Sequence, residues 1–359
     1  MMRANRDAQR ISSLDGARAV SIFLVMFFHA AGSHPLPLFW RLGQFMFGSL
    51  GVRIFFVVSG FLITALLLKE QERTGRISLR NFYLRRVARI FPASYFYLIV
   101  VVLLIPTGYV TAQYGSFPSI LLYFADFHIA GPKNISLGQF WSLSVEEQFY
   151  FFWPATLVFL GGSRALRVCL LLLISAPVFR VLSFYLHWST EPNFAFENVC
   201  DALASGCLLA ILRDRLYANW LYGRLVNSVA PIIIAACAFF ICGASLPVWF
   251  KYVIGIPLLN FGIVMTLDRY MRMPTADIGR FLNWRPVIWI GTISYSLYLW
   301  QQFFLFSNIE MSVFVRVALS VIMAIVSFYL VEKPIRRWLN SKWNDASRFQ
   351  RPRIAADVN

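Results

Sequence analysis

Ten long apolar runs, separated by short polar loops, organise this sequence. A shorter apolar run at 118–130 has the length of a re-entrant or interfacial segment rather than of a membrane span. Lipid offers the backbone no hydrogen-bond partners, so each long run is predicted to be an α-helix. The ten runs lie at about 17–33, 46–68, 90–110, 141–160, 166–187, 197–212, 225–245, 247–267, 286–306 and 311–331.

Lysine and arginine concentrate in every second loop. The loop at 69–89 is rich in basic residues, whereas the loops at 106–117 and 187–198 are nearly free of them. Basic loops stay on the cytoplasmic side, and a crossing by 118–130 would place every later basic loop outside. The pattern therefore predicts about ten crossings with both termini cytoplasmic, and an external, partly re-entrant element at 106–140. In a bacterium this corresponds to the inner membrane.

The composition agrees with this interpretation. Of the 359 residues, 58% are hydrophobic and 14% are charged, against about 45–50% and 25% in soluble domains. We therefore expect an all-α polytopic membrane protein, with one membrane domain at 1–340 and a disordered basic tail at 341–359. The formal net charge of +16 would indicate nucleic acid in a soluble protein. Here it sets topology and can attract an anionic cosubstrate, so no nucleic-acid partner is expected.

The sequence lacks the motifs that are typical of several kinds of chemistry. The five cysteines lie in apolar stretches without metal-ligand spacing, and no H-E-x-x-H, P-loop or dinucleotide fingerprint is present. Metal, ATP and NAD chemistry are therefore not expected. The small residues 30–32 after the first run resemble a signal-peptide cleavage site. The charge pattern requires that first crossing, so we predict an uncleaved helix.

Polar side chains from separate spans reach similar depths in the membrane. His29 lies roughly 16 Å beyond Arg18 along a helix, and Arg53 about 10 Å from the outer end of its own helix. Similar depths are predicted for Glu146, Glu147, Arg180, Gln301 and Gln302. Ionisable groups at such depths are costly and usually mark function. The alternative is a buried ion-pair network that only locks helices together, especially for Arg53 and Arg180; Asp126 and Asp201 stay ambiguous.

A histidine backed by a carboxylate is suited to general-base catalysis. The carboxylate orients the ring and stabilises the imidazolium that forms when an acceptor is deprotonated. Successive helical residues point about 100° apart, so only one of Glu146 and Glu147 can face His29, and we favour Glu147. No serine or cysteine lies in a nucleophile elbow, which favours direct transfer to a hydroxyl.

Six sequence motifs, in order, resemble the acyltransferase type 3 family over about residues 10–340. In the first, ten residues separate Arg18 from His29, and Ala17 departs from the bulkier or basic residue common in the family. The motifs are 14–18 (LDGAR), 51–63 (GVRIFFVVSGFLI), 82–92 (FYLRRVARIFP), 141–150 (WSLSVEEQFY), 293–301 (ISYSLYLWQ) and 332–334 (EKP).

The resemblance implies a membrane O-acyltransferase that moves an acyl group, chiefly acetyl, from acyl-CoA to a hydroxyl of a surface glycan. It implies that His29 is catalytic and that Arg53 is needed for activity, either for the oxyanion or as a partner of the glutamates. We expect Arg180, Tyr295 and Gln301 to contact the acceptor. The residues expected to hold the acyl-CoA are Arg18, Arg85, Arg86 and Arg89.

The sequence does not identify the acceptor, and it is also compatible with a second function. We expect no hydrolase-like domain after the membrane domain, and therefore an exopolysaccharide, O-antigen or Nod-factor-type glycan rather than peptidoglycan; membrane lipids are the other expected partners. The acyl group and the oligomeric state are not specified. The alternative function is a transporter or flippase of a lipid-linked glycan, which inverted repeats and broken helices would favour. The sequence shows neither feature.

Overall fold

The computed structural model describes residues 11–33, 40–128, 132–187, 194–306 and 310–349, and every regular element in those ranges is helical. Short 3₁₀ turns connect some of the helices, and π-helical turns lie at Lys251–Gly255 and Ser327–Glu332. The α-helices are α1 Ser12–Ser33, α2 Trp40–Thr74, α3 Leu79–Leu104, α4 Phe117–Leu121, α5 Ala125–His128, α6 Phe140–Tyr185, α7 Phe196–Ala218, α8 Trp220–Val226, α9 Ala230–Gly243, α10 Val248–Phe250, α11 Ile256–Arg272, α12 Gly279–Leu282, α13 Arg285–Leu305, α14 Val313–Val326 and α15 Lys333–Phe349.

Within the described residues, six helical stretches are long and apolar enough to cross a membrane, or seven if the α8–α9 pair, bent by 81°, is one span. The protein is therefore described as an all-helical, multi-pass membrane protein, and the predicted number of about ten crossings is not confirmed. The six stretches are Ser12–Gly32, Phe47–Thr74, Leu79–Thr107, Ile135–Tyr185, Val248–Arg272 and Val313–Trp343.

Two features account for the lower number. The predicted spans 141–160 and 166–187 are two helices that follow each other without a loop in α6 and meet at a kink, where Gly161 adopts a φ of +74°; together they count as one of the six stretches. The helices α7 and α13 occupy predicted spans but carry buried polar side chains, among them Asp201 and Gln301, and neither is among the six apolar stretches. The apolar runs of the sequence therefore do not correspond one to one to the helical stretches that are apolar enough to cross a membrane.

The connection between α3 and α6 forms no long helix in its described part. It contains only the short helices α4 and α5 and 3₁₀ turns, as expected for a segment that does not span the membrane. At the other end of the chain, α15 continues to Phe349. The predicted disordered tail thus begins inside a helix, and residues 350–359 lie outside the described residues.

The first helix, α1, packs between α2 and α13. The approach to α13 is very close, because a Cβ added at Gly291 would lie 1.9 Å from the carbonyl oxygen of Asp15. This close contact holds the beginning of α1, which carries Arg18, against α13. Arg18 and His29, both on α1, are therefore placed between the same two neighbouring helices.

Candidate active site

The imidazole of His29 is bound by an amide from another helix. Its Nδ1 lies 2.7 Å from Oε1 of Gln301 on α13. The Gln301 amide nitrogen donates to the carbonyl of Tyr298 at 3.5 Å, which turns the amide oxygen toward His29. In this arrangement Nδ1 carries the proton and Nε2 is left as an acceptor, the form a general base requires.

Aromatic rings enclose the rest of the His29 side chain. The ring of Phe28 lies 5.0 Å from the imidazole and the ring of Phe306 lies 5.2 Å from it, both between centroids. These contacts restrict the imidazole and exclude water from two of its sides. The site is therefore a histidine held by one amide hydrogen bond in apolar surroundings.

The predicted contact between His29 and a glutamate is wrong for the described residues. Glu146 instead accepts a hydrogen bond from the Ser59 hydroxyl at 2.7 Å. Glu147 lies within electrostatic range of Arg86 and Arg89. The depth of a residue along its helix was predictable from the 1.5 Å rise, but its direction around the axis was not, and the glutamates face the arginines.

A cavity of 590 Å³ lies at the end of the bundle where α1 begins and α2 ends. We call it the basic cavity because cations from three helices line it, together with the carboxylates Glu70 and Glu146. It brings together all four residues predicted to hold acyl-CoA. Its basic lining residues are Arg18, Lys69, Arg73, Arg85, Arg86 and Arg89.

Local contacts hold individual arginines of the basic cavity in place. The Arg86 guanidinium lies over the Tyr150 ring, 3.5 Å from its centroid, a cation–π arrangement. Arg85 forms an ion pair with Glu70 at 3.0 Å. The Arg86 Nε is buried without a hydrogen-bond partner in the described residues. The cavity therefore offers fixed positive charge and an unused donor to an anionic ligand.

A narrow chamber of 40 Å³ adjoins the basic cavity and shares Arg18, Ser59 and Glu146 with it. Its lining also includes Tyr295, which was predicted to contact the acceptor, and Tyr298. Tyr295 donates to the carbonyl of Ile90 at 3.1 Å. The hydroxyl of Tyr298 lies 2.5 Å from that of Ser142.

The narrow chamber leads toward His29 along α13. Tyr298 lines the chamber, and Gln301 follows it by one helical turn and contacts His29. His29 itself is not among the lining residues of the cavities found in the described part of the chain. Tyr298 and Gln301 on α13 thus lie between the narrow chamber and the imidazole.

Arg53 and Arg180 belong to a different cluster. Asp201 on α7 pairs with Arg180 at 2.9 Å and with Arg53 at 3.5 Å. Arg53 also donates to Asn260 at 3.3 Å, and Arg180 donates to the carbonyl of Asn198 at 3.0 Å. The predicted pairing of Arg53 with the glutamates is therefore wrong. Arg180 is fully buried in this ion cluster, which corrects its predicted contact with the acceptor.

Comparison with known proteins identifies the family. The sequence profile described as an acyltransferase domain (acyltransferase type 3) matches residues 11–332. The chain belongs to the acyltransferase type 3 family. No solved structure matches this member of the family.

Three curated relatives of this acyltransferase type 3 chain have names that describe O-acetyltransferases. The putative peptidoglycan O-acetyltransferase YrhL of Bacillus subtilis is 30% identical, covering 91% of this chain and 55% of the relative. The peptidoglycan O-acetyltransferase OatA of Listeria monocytogenes is 28% identical, with 94% and 58% covered. The O-acetyltransferase OatA of Staphylococcus aureus is 27% identical, with 91% and 57% covered. The chain thus spans little more than half the length of these relatives.

Two residues of the acyltransferase type 3 site were not anticipated from sequence. Ser59 hydrogen bonds Glu146, and Tyr298 lines the chamber below Gln301. Both lie inside motif runs, 51–63 and 293–301, that were used only to identify the family. Their hydroxyl groups within apolar helices were the available signal, since a buried hydroxyl requires a partner.

Proposed function

We propose that this acyltransferase type 3 protein transfers an acyl group, most simply acetyl, from acyl-CoA to a hydroxyl of a cell-surface glycan. The observation that carries the proposal is the series from the basic cavity through the narrow chamber to Gln301 and His29. The names of the relatives support O-acetylation of a glycan. The donor and the glycan are our proposals.

The basic cavity has the charge that an acyl-CoA requires. Coenzyme A carries phosphate groups, and arginine binds phosphate with short, charge-assisted hydrogen bonds. The volume of 590 Å³ lies within the about 300 to 1,000 Å³ typical of ligand sites. With the phosphates at Arg85, Arg86 and Arg89, the pantetheine arm extends through the narrow chamber and brings the thioester toward His29.

His29 acts as the general base in this scheme. Its Nε2 takes the proton from the acceptor hydroxyl while the hydroxyl oxygen forms a bond to the thioester carbonyl carbon. The carbon–sulfur bond then breaks, and the proton passes from the imidazolium to the leaving thiolate. The products are the acylated sugar and coenzyme A. Gln301 keeps the required tautomer by accepting from Nδ1.

The basic cavity faces the cytoplasm in this proposal, where acyl-CoA is made, and the acceptor comes from the other side of the bacterial inner membrane. The basic loops at this end favour that orientation. Bacterial species carry the named relatives, and the names of two of them mention peptidoglycan. Peptidoglycan therefore joins the exopolysaccharide-type glycans as a candidate acceptor.

The function is tested by structural mass spectrometry of surface glycan from a deletion strain complemented with wild type or His29→Asn. The proposal predicts that an acyl group is lost on deletion and is restored by the wild type alone. An unchanged acylation pattern, with glycan missing from the surface or trapped inside, would contradict it and favour a transporter. Equal membrane levels of the two proteins are the control.

A further inference from the structure

A second cavity, of 270 Å³, lies at the end of the bundle opposite the basic cavity. We call it the Lys251 cavity. Residues near the start of several helices line it: Ser49 on α2, Trp141 on α6, Val199 on α7 and Val248 on α10. The catalytic scheme above assigns no role to this space.

The Lys251 cavity has aromatic walls. The rings of Trp141 and Phe194 stack with their centroids 4.6 Å apart, and the Phe56 ring meets Trp141 edge-on at 6.1 Å. Tyr252 and Phe239 also line the space. Apolar and aromatic walls with a few charged groups are typical of small-molecule sites. The volume is slightly below the usual range, which suits a single sugar ring.

Positive charge in and around the Lys251 cavity exceeds negative charge. Arg53 and Lys251 line it, and its lining contains no carboxylate among the described residues. Directly behind Arg53, the single carboxylate of Asp201 is shared between Arg53 and Arg180. Unbalanced cations inside a membrane protein are costly, and an anionic ligand would relieve that cost.

The backbone that places Lys251 at the cavity is a π-helical turn. Lys251 is the first residue of this turn, Lys251–Gly255. Such turns are rare and occur often at functional sites. No ion pair to Lys251 is found within the described ranges, so its ammonium is available to a ligand.

The Lys251 cavity and the narrow chamber share part of their lining. Val52 and Phe56 line both spaces, each contributing to the wall between them. A ligand in the Lys251 cavity therefore lies close to the chamber into which the donor arm is proposed to extend. That proximity suits an acceptor rather than an unrelated ligand.

We infer that the Lys251 cavity binds a sugar residue of the acceptor that carries an anionic group, with Arg53 and Lys251 on the anion and the aromatic walls on the ring. This inference rests on the proposed function, because it assigns the acceptor side of that reaction. It makes the acceptor an acidic glycan, one that bears a carboxylate or a phosphate on its sugar.

The test measures binding to the purified full-length protein by microscale thermophoresis. The probes are trigalacturonate, its neutral trimethyl ester and undecaprenyl phosphate, whose anion belongs to a lipid carrier. The inference predicts that trigalacturonate binds and that its ester does not. Lys251→Gln should weaken trigalacturonate binding by about tenfold or more. Lys342→Gln, which removes the same charge from α15, should leave it unchanged.

Three outcomes would overturn the inference: equal binding of trigalacturonate and its ester, no effect of Lys251→Gln, or binding of undecaprenyl phosphate alone. Acetyl-CoA binding is measured on the same samples. If acetyl-CoA fails to bind while trigalacturonate binds at Lys251, the proposed function fails and the anionic-sugar site stands. If acetyl-CoA binds and trigalacturonate does not, the proposed function survives without this site.

Discussion

The imidazole of His29 and the side-chain amide of Gln301 are hydrogen bonded at 2.7 Å, between helices α1 and α13. A neutral amide fixes the tautomer of the ring but adds no charge. A carboxylate in the same place would also stabilise the imidazolium that forms during proton transfer. In the proposed mechanism Gln301 therefore acts mainly by orienting the ring, with Nε2 as the base.

Gln301→Leu should lower kcat for acetyl transfer by about 10- to 100-fold, less than the about 10²- to 10⁴-fold of general-base catalysis, because the base is retained and only its orientation is lost. The KM for acetyl-CoA should stay near wild type, because Gln301 does not line the basic cavity. Gln301→Glu should retain activity, since a carboxylate accepts the same hydrogen bond. Initial rates with labelled acetyl-CoA measure both parameters. A change confined to KM would contradict the orienting role.

The basic cavity predicts a separate effect on the donor. Arg86→Gln should raise the KM for acetyl-CoA by about tenfold or more, because the variant loses one charge-assisted hydrogen bond to the donor. Arg164→Gln removes an arginine that is exposed on α6 and lines no described cavity. It should leave KM unchanged. Equal KM values for the two variants would show that the basic cavity does not bind the donor.

Asp201 is predicted to be essential for stability. Asp201→Asn removes the carboxylate shared by Arg53 and Arg180 and leaves two buried cations unpaired. Removing one partner of a buried ion pair costs about 3–5 kcal/mol. We expect a large loss of thermal stability in detergent, partly recovered in Asp201→Asn with Arg180→Met. Wild-type stability of the single variant would show that the cluster contributes little.

Helical structure and family were predictable from this sequence, but the number of spans was not confirmed. Apolar runs locate helices because every backbone group in lipid must bond within its own segment. They do not show that the helices on either side of Gly161 follow each other without a loop and meet at a kink. They also do not show how α7 can bury the charged side chain of Asp201, which depends on arginines from α2 and α6.

The buried carboxyl group of Asp126 should make the stability of the protein depend on pH. It lies on α5, outside the apolar spanning stretches, and burial raises its pKa from 3.8 to about 6, although a hydrogen bond from Gln148 opposes the rise. A raised pKa favours the protonated form in the folded protein. The stabilisation that comes from the protonated carboxyl is fully present below pH 3.8. It is lost as the pH rises through 6, which lowers the free energy of unfolding by up to about 3 kcal/mol.

Asp126→Asn keeps a neutral side chain at every pH and should remove this dependence. We expect the variant to unfold at a higher temperature than wild type at pH 7. The difference should shrink as the pH falls to 4. Thermal unfolding of the detergent-solubilised protein at both values measures it. A constant difference between the two proteins would show that Asp126 does not titrate in this range.

The sequence predicted which polar side chains lie inside the membrane domain, but it did not predict their contacts. The motifs and helical depth pointed to His29, Glu146, Arg53 and Gln301 as polar groups at similar levels in the membrane. Depth says nothing about direction around each helix axis, and packing decides it. Thus α13 supplies the partner of His29, while Arg53 pairs with Asp201 on α7 instead of with the glutamates.

The central claim is that His29 is the base for acyl transfer. It is tested by incubating purified wild type and His29→Asn with radiolabelled acetyl-CoA and de-acylated surface glycan, and counting label in the glycan. The account predicts transfer by wild type and a loss of about 10²- to 10⁴-fold in the variant, with acetyl-CoA binding and thermal stability preserved. Transfer by His29→Asn at the wild-type rate would contradict it.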